Sequence, residues 1–196
     1  MPLGANKAAI MGVAGTAAAA DVVLLHDTDY SNVATASITS GITSTYGEYI
    51  FKFYNINPAT DSADFSFQCS TDGGSSYGLT ITTTYFECYH AEDDSATNLG
   101  YSAGQDLEQS TSFQGMSFDI GSGADESTAG ELHIFNPSST TYVKHFYGVS
   151  NVYGLNNFTI QEFYAGYFNT TSDIDAIQFK MNTGNFDGTI KMWGSK

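Results

Sequence analysis

The stretch Ala63-Asp64-Phe65-Ser66-Phe67-Gln68-Cys69 alternates apolar and polar side chains without a break. A repeat of two is the signature of a β-strand, whose successive side chains point to opposite faces. Phe65, Phe67 and Cys69 are therefore expected to face a core, and Asp64, Ser66 and Gln68 to face out. Upstream, Glu48-Tyr49-Ile50-Phe51-Lys52-Phe53-Tyr54 behaves the same way, with Tyr49, Phe51 and Phe53 on one side and Lys52 on the other. The Asn/Pro-containing segment Asn55 to Asp61 between them reads as a loop.

Working outward, the same pattern fills the chain. Val22 to Leu25, Leu79 to Tyr85, Phe113 to Ile120, Glu131 to Phe135, Tyr142 to Val149, Thr159 to Phe168, Ile174 to Met181 and Thr189 to Trp193 all read as strands. Turn clusters separate them, among them Asp72-Gly73-Gly74-Ser75, Gly121-Ser122-Gly123, Asn136-Pro137-Ser138, Asn156-Asn157 and Asp187-Gly188. No window carries a helical repeat with caps. The expectation is an all-β, antiparallel β-sandwich of about ten strands, of jelly-roll form, spanning residues 21–196 as a single domain.

Composition narrows the function. The 196 residues carry 6 Lys, no Arg and 21 Asp plus Glu, for a net charge of -15. Six dispersed lysines cannot build the cationic patch that nucleic acid requires, and an anionic membrane would repel the chain. Aromatic residues make up 14% of the sequence, so it is not an acidic disordered tail. Thirteen of the 21 acids lie between Lys52 and Lys144, an interval without any other Lys.

Residues 1–20, MPLGANKAAIMGVAGTAAAA, differ from the rest. The apolar stretch from Ala8 is broken by Gly12, Gly15 and Thr16 and holds no leucine. It therefore reads less as a secretion signal than as an Ala/Gly-rich assembly arm, with Lys7, Ile10, Met11 and Val13 as its anchoring residues.

Chemistry-bearing patterns are few. Paired acids occur at Asp27/Asp29, Glu92 to Asp94, Asp125/Glu126 and Asp173/Asp175; the last would share one face of a strand, whereas glycoside hydrolysis needs two carboxylates about 5 to 10 Å apart across a cleft. Asp27-x-Asp29-x-Ser31 begins like a calcium loop but lacks the Gly and Glu that would complete one. The histidines, His26, His90, His133 and His145, show no metal spacing. Cys69 and Cys88, at the ends of two strands expected to be neighbours, are read as free buried thiols, with one disulfide as the alternative. No catalytic residue, cofactor or metal is assigned, Ca2+ remaining the single candidate ion. The aromatics weigh more. Residues 142–168 are rich in Tyr and Phe, and Tyr142, Tyr147, Tyr153, Tyr164 and Tyr167 are the candidate contacts for a partner or a sugar.

The C-terminal segment adds a resemblance. Asp173-Ile174-Asp175-Ala176-Ile177-Gln178-Phe179 followed by Asn182-Thr183-Gly184-Asn185-Phe186-Asp187-Gly188-Thr189-Ile190-Lys191-Met192-Trp193-Gly194 resembles the ending of small virion structural proteins of tailed, especially marine, bacteriophages, with Trp193 where Tyr is usual. The strand at Glu48 to Phe53 is similar to their early strand. The resemblance implies a β-sandwich on the virion surface, as a tail fibre, receptor-binding head or capsid decoration. It implies no enzymatic activity. The expected partners are other virion proteins, sister copies in a homotrimer, and a host surface glycan or receptor. The competing expectations are a secreted carbohydrate-binding module or lectin, using exposed Tyr and Asp/Asn loops, and a glycosidase.

Overall fold

The structure, a computed structural model, describes residues 21–196. The arm residues Lys7, Ile10, Met11 and Val13 lie outside the described residues. Twelve strands follow in chain order: β1 (Val22–Val33), β2 (Thr35–Ile38), β3 (Glu48–Pro58), β4 (Ala63–Ser70), β5 (Ile81–Ala91), β6 (Thr97–Tyr101), β7 (Gln114–Ile120), β8 (Thr128–Phe135), β9 (Lys144–Gly154), β10 (Phe158–Phe168), β11 (Ala176–Met181) and β12 (Phe186–Ser195). Every ladder is antiparallel, and no helix occurs among the described residues.

The strands form a larger sheet, β1-β12-β3-β8-β9-β10-β5-β6, and a smaller one, β7-β4-β11-β2. A single bridge between Ile120 and Gly154 joins β7 to β9 at one margin. At the other margin β1 passes into β2 across Ala34, so the chain itself crosses between layers. The result is an antiparallel sandwich closed nearly into a barrel. The all-β sandwich is as the sequence indicates, with twelve strands in place of about ten. The jelly-roll form is not confirmed by this strand order.

Aromatic pairs bind the layers. Phe53 of the larger sheet meets Phe65 of the smaller at 5.4 Å between ring centroids, Phe51 meets Phe179 at 5.8 Å, and Phe146 meets Phe67 at 5.2 Å. All six rings are buried, each supplying a large apolar area and a favourable tilted or edge-on geometry. Gly148 makes room for another buried ring. A Cβ there would overlap the ring of Tyr164, its register partner on β10.

Strand β4 departs from expectation on one face. Phe65, Phe67 and Cys69 are buried as expected, but Ser66, Gln68 and Ser70 are buried too. The segments around Leu79 and Thr111 fold over that face. The Gln68 amide nitrogen donates to the carbonyls of Leu79, Thr111 and Ser112, and its oxygen accepts from the Cys69 N–H. The loop covering the strand is thus fastened by a side chain able to serve several carbonyls at once.

The β9–β10 hairpin turns on Asn156 and Asn157, with φ of 62° and 61°. Asn tolerates this left-handed region, and two successive positive φ values match the twist of the paired strands.

Candidate functional site

In β9, residues 145, 147, 149, 151 and 153 point out of the sandwich; in β10 it is 159 to 167 at odd positions, and in β5, 82 to 90 at even positions. In β6, Thr97, Leu99 and Tyr101 share that face. None of these outward residues is Asp, Glu or Lys. The charged residues of these four strands, Lys144, Glu87 and Glu162, all point inward. The charge of these strands thus lies inside, beside the core rings of Tyr85, Phe146, Tyr164 and Phe168, and the outer face is uncharged apart from its histidines.

Aromatic rings line the outer face instead. Phe86 and Phe163, directly opposed on β5 and β10, stack at 4.7 Å with an interplanar angle of 9°. Tyr147 stacks on His133 with the same 4.7 Å and 9°, and Phe135 joins at 5.7 Å. His133 Nδ1 donates to Glu48 Oε1 over 2.7 Å, which holds the ring flat against Tyr147. The charges found elsewhere on this sheet face are engaged locally: Lys191 with Asp27 at 2.9 Å, and Lys52 with Glu131 at 3.4 Å.

The five candidate tyrosines separate accordingly. Tyr147, 46% exposed, lies on the aromatic face with the half-buried Tyr153 and Tyr167. Tyr142, 74% exposed, stands in the turn before β9, beside a shallow depression of about 500 Å³ lined by Phe135, Asn136, Ser139 and His145. Lys144 secures that turn. Its buried ammonium donates to the carbonyls of Ser139, Tyr142 and Thr170, one for each of its protons. Tyr164 is a correction. It is 2% exposed, faces inward from β10, and donates its hydroxyl to the Glu131 carbonyl, so it is a core residue and not a contact residue.

The paired acids are also placed. Asp173 and Asp175 precede β11 and are not on a strand; both oxygens of Asp175 accept the Gly73 N–H at 3.0 Å, which fastens the Asp72–Gly74 turn. Asp27 and Asp29 lie within β1 and not in a loop, Asp29 accepting from the Thr189 hydroxyl at 2.6 Å. Among the described residues no group of three His, Cys, Asp or Glu is arranged to hold a metal. Cys69 and Cys88 are both free, on different sheets, Cys69 in the core and Cys88 on the outer face. They are not on neighbouring strands, because β4 and β5 lie in different layers.

One site escaped the sequence reading. Under the overhang of β5 and β10 lies a cavity of about 300 Å³, walled by Tyr89, Phe118 and Phe158 and carrying Glu87, Asp119 and Glu162. Glu162 is fully buried, and desolvation pushes its carboxyl up to about 8. Burial, then the Asp119 charge, raises Glu87 as well. Strand parity was the available signal, since Glu162 shares its face with Tyr164 and Phe168.

The chain matches no family model, and no curated protein is significantly similar to it.

Proposed function

We propose that this chain is a non-enzymatic structural protein of a bacteriophage virion, standing on the particle surface as a tail-fibre, receptor-binding or capsid-decorating component assembled in the host cytoplasm. The observation that carries the reading is the outer face of strands β9, β10, β5 and β6, which carries no Asp, Glu or Lys and leaves the rings of Phe86, Tyr101 and Tyr147 exposed. A freely diffusing protein gains nothing from such a face, whereas a multi-copy assembly buries it. The resemblance of the C-terminal segment to phage virion proteins supports the same reading. Residues 1–20, through Ile10, Met11, Val13 and Lys7, serve in this proposal as the arm that docks onto a neighbouring virion protein.

Mass spectrometry with copy counting on purified particles tests it. Hundreds of copies per particle indicate capsid decoration, and a few to a few dozen indicate a tail or fibre. Absence from particles overturns the proposal.

A second reading, a secreted sugar-binding module, is favoured by one observation: Tyr142 is the most exposed aromatic ring among the described residues and borders a depression lined by Asn136 and Ser139. A ring with adjacent amide and hydroxyl groups suits a pyranose. Glycan-array binding lost in Tyr142→Ala would support this reading, and an array without signal would remove it.

A further inference from the structure

We infer that the outer face of strands β9, β10, β5 and β6 is the contact surface for a second copy of this chain, packed sheet to sheet about a twofold axis. This rests on the reading of that face as a contact surface and names its occupant.

Three observations lead there. Of the seven most exposed large apolar side chains among the described residues, Phe86, Leu99, Tyr101 and Tyr147 lie on the outer face of these four strands, while Val22 and Leu24 stand on β1 at the far edge of the same sheet. Tyr101, 59% exposed, continues the row of the stacked Phe86–Phe163 pair to the sheet edge, and Leu99, 72% exposed, stands beside it in the next row opposite Cys88. Singly scattered apolar residues need no explanation, but a contiguous ladder of them marks an interface.

Charge selects the partner. Two copies of a chain at -15 repel one another over most of their surfaces. On this face the repulsion is weakest, because none of the outward residues of the four strands is acidic and the nearest carboxylates, Asp94 and Asp106, stand at its margin. A basic partner would find carboxylates only at the margins, Asp94 against His90 and Asp106 against the Tyr101 hydroxyl, and none among the stacked rings. A second copy finds an uncharged aromatic surface matching its own, and a patch complementary to itself closes as a twofold pair.

The size is sufficient. β9, β10 and β5 have 11 residues each and β6 has 5. At strand spacings of about 4.8 Å and rises of about 3.3 Å, they cover roughly 600 Å² in projection. Rings standing above the sheet raise the accessible area toward the ~800 Å² per partner of a stable complex. The outward histidines, His145 and His90, lie at opposite ends of the patch and leave the stacked Phe86–Phe163 pair at its centre uncharged.

Sedimentation velocity on the full chain at micromolar concentrations tests this, with Phe86→Asp and Leu99→Asp as variants and circular dichroism with thermal melts as the check on folding. The wild type is expected to sediment as two chains, and each variant to weaken the pairing by tenfold or more without changing the melt. Raising the salt should leave the wild-type pairing intact or strengthen it. A single-chain wild type, a three-chain species, or pairing unchanged in both folded variants would each overturn the inference. Particle composition reads the virion proposal separately: a chain absent from particles yet paired in solution sinks that proposal and leaves this one standing.

Discussion

Ser150 Oγ lies 2.7 Å from Glu162 Oε2, its register partner across β9 and β10, and 2.6 Å from the Met116 carbonyl. A hydroxyl has one proton and cannot donate to both acceptors. The arrangement is satisfied when Glu162 is itself protonated: its O–H donates to Ser150, Ser150 donates to Met116, and Oε1 accepts from the Phe118 N–H at 2.9 Å. Burial, which pushes this carboxyl up to about 8, points the same way.

The pH dependence follows. Below about pH 4.5 Glu162 is protonated in both folded and unfolded chains. Between there and about 8 the unfolded chain releases the proton and the folded chain keeps it, so the stability contribution falls as pH rises. Melting temperature is expected to drop from pH 5 to pH 8, by a free energy on the order of a few kcal/mol. Glu162→Gln should flatten the slope and remove a carboxylic-acid band from the infrared spectrum at pH 7. A slope unchanged in that variant would refute the neutral acid.

Gly148→Ala should destabilise the fold by about 1–3 kcal/mol in chemical denaturation, because the added methyl overlaps the buried Tyr164 ring. The loss should be smaller in combination with Tyr164→Leu, whose side chain vacates that space.

Gln68→Ala should cost about 2–4 kcal/mol, as it leaves the carbonyls of Leu79, Thr111 and Ser112 without their donor. Proteolysis should quicken first within residues 103–112, the segment this side chain fastens.

Lys144→Met keeps the length of the buried side chain and removes its three donors. Limited proteolysis is expected to move to the Ser139–Tyr142 turn, while the strands retain their circular dichroism. Protection equal to wild type would mean the ammonium does not hold the turn.

Deleting residues 1–20 should leave a folded, soluble protein, because β1 begins at Val22 and its ladder with β12 starts there. The deleted chain is expected to be missing from particles. Normal incorporation would show that the arm is not the docking element.

Much of the fold is legible where alternation is long and the inner residues are large, as in β3 and β4. It fades where strands are short and polar. β2 and β6, of 4 and 5 residues, are too short to carry a clear apolar alternation and are specified by their partners. Asn55 to Pro58 reads as a loop, yet β3 runs through it, because Asn55 absorbs a bulge at φ 54°. For the site, parity alone separates Tyr164 from Tyr167: three residues apart on one strand, they must face opposite ways. Which of the two faces inward depends on the position of the other sheet, which local sequence does not carry. The cavity at Glu162 depends likewise on the overhang of β5 beyond the smaller sheet.

The position of β12 between β1 and β3 bears on how the protein is made. The last of the twelve strands to leave the ribosome is an interior one, and until it arrives β1 has no partner in the larger sheet. The nascent chain must therefore keep a gap open beside β3, with two unpaired strand edges exposed, and complete its sheet in a single late insertion. Synthesis stalled before Phe186 would leave those edges available to neighbouring chains. Truncation there is expected to produce aggregates and not a smaller soluble domain.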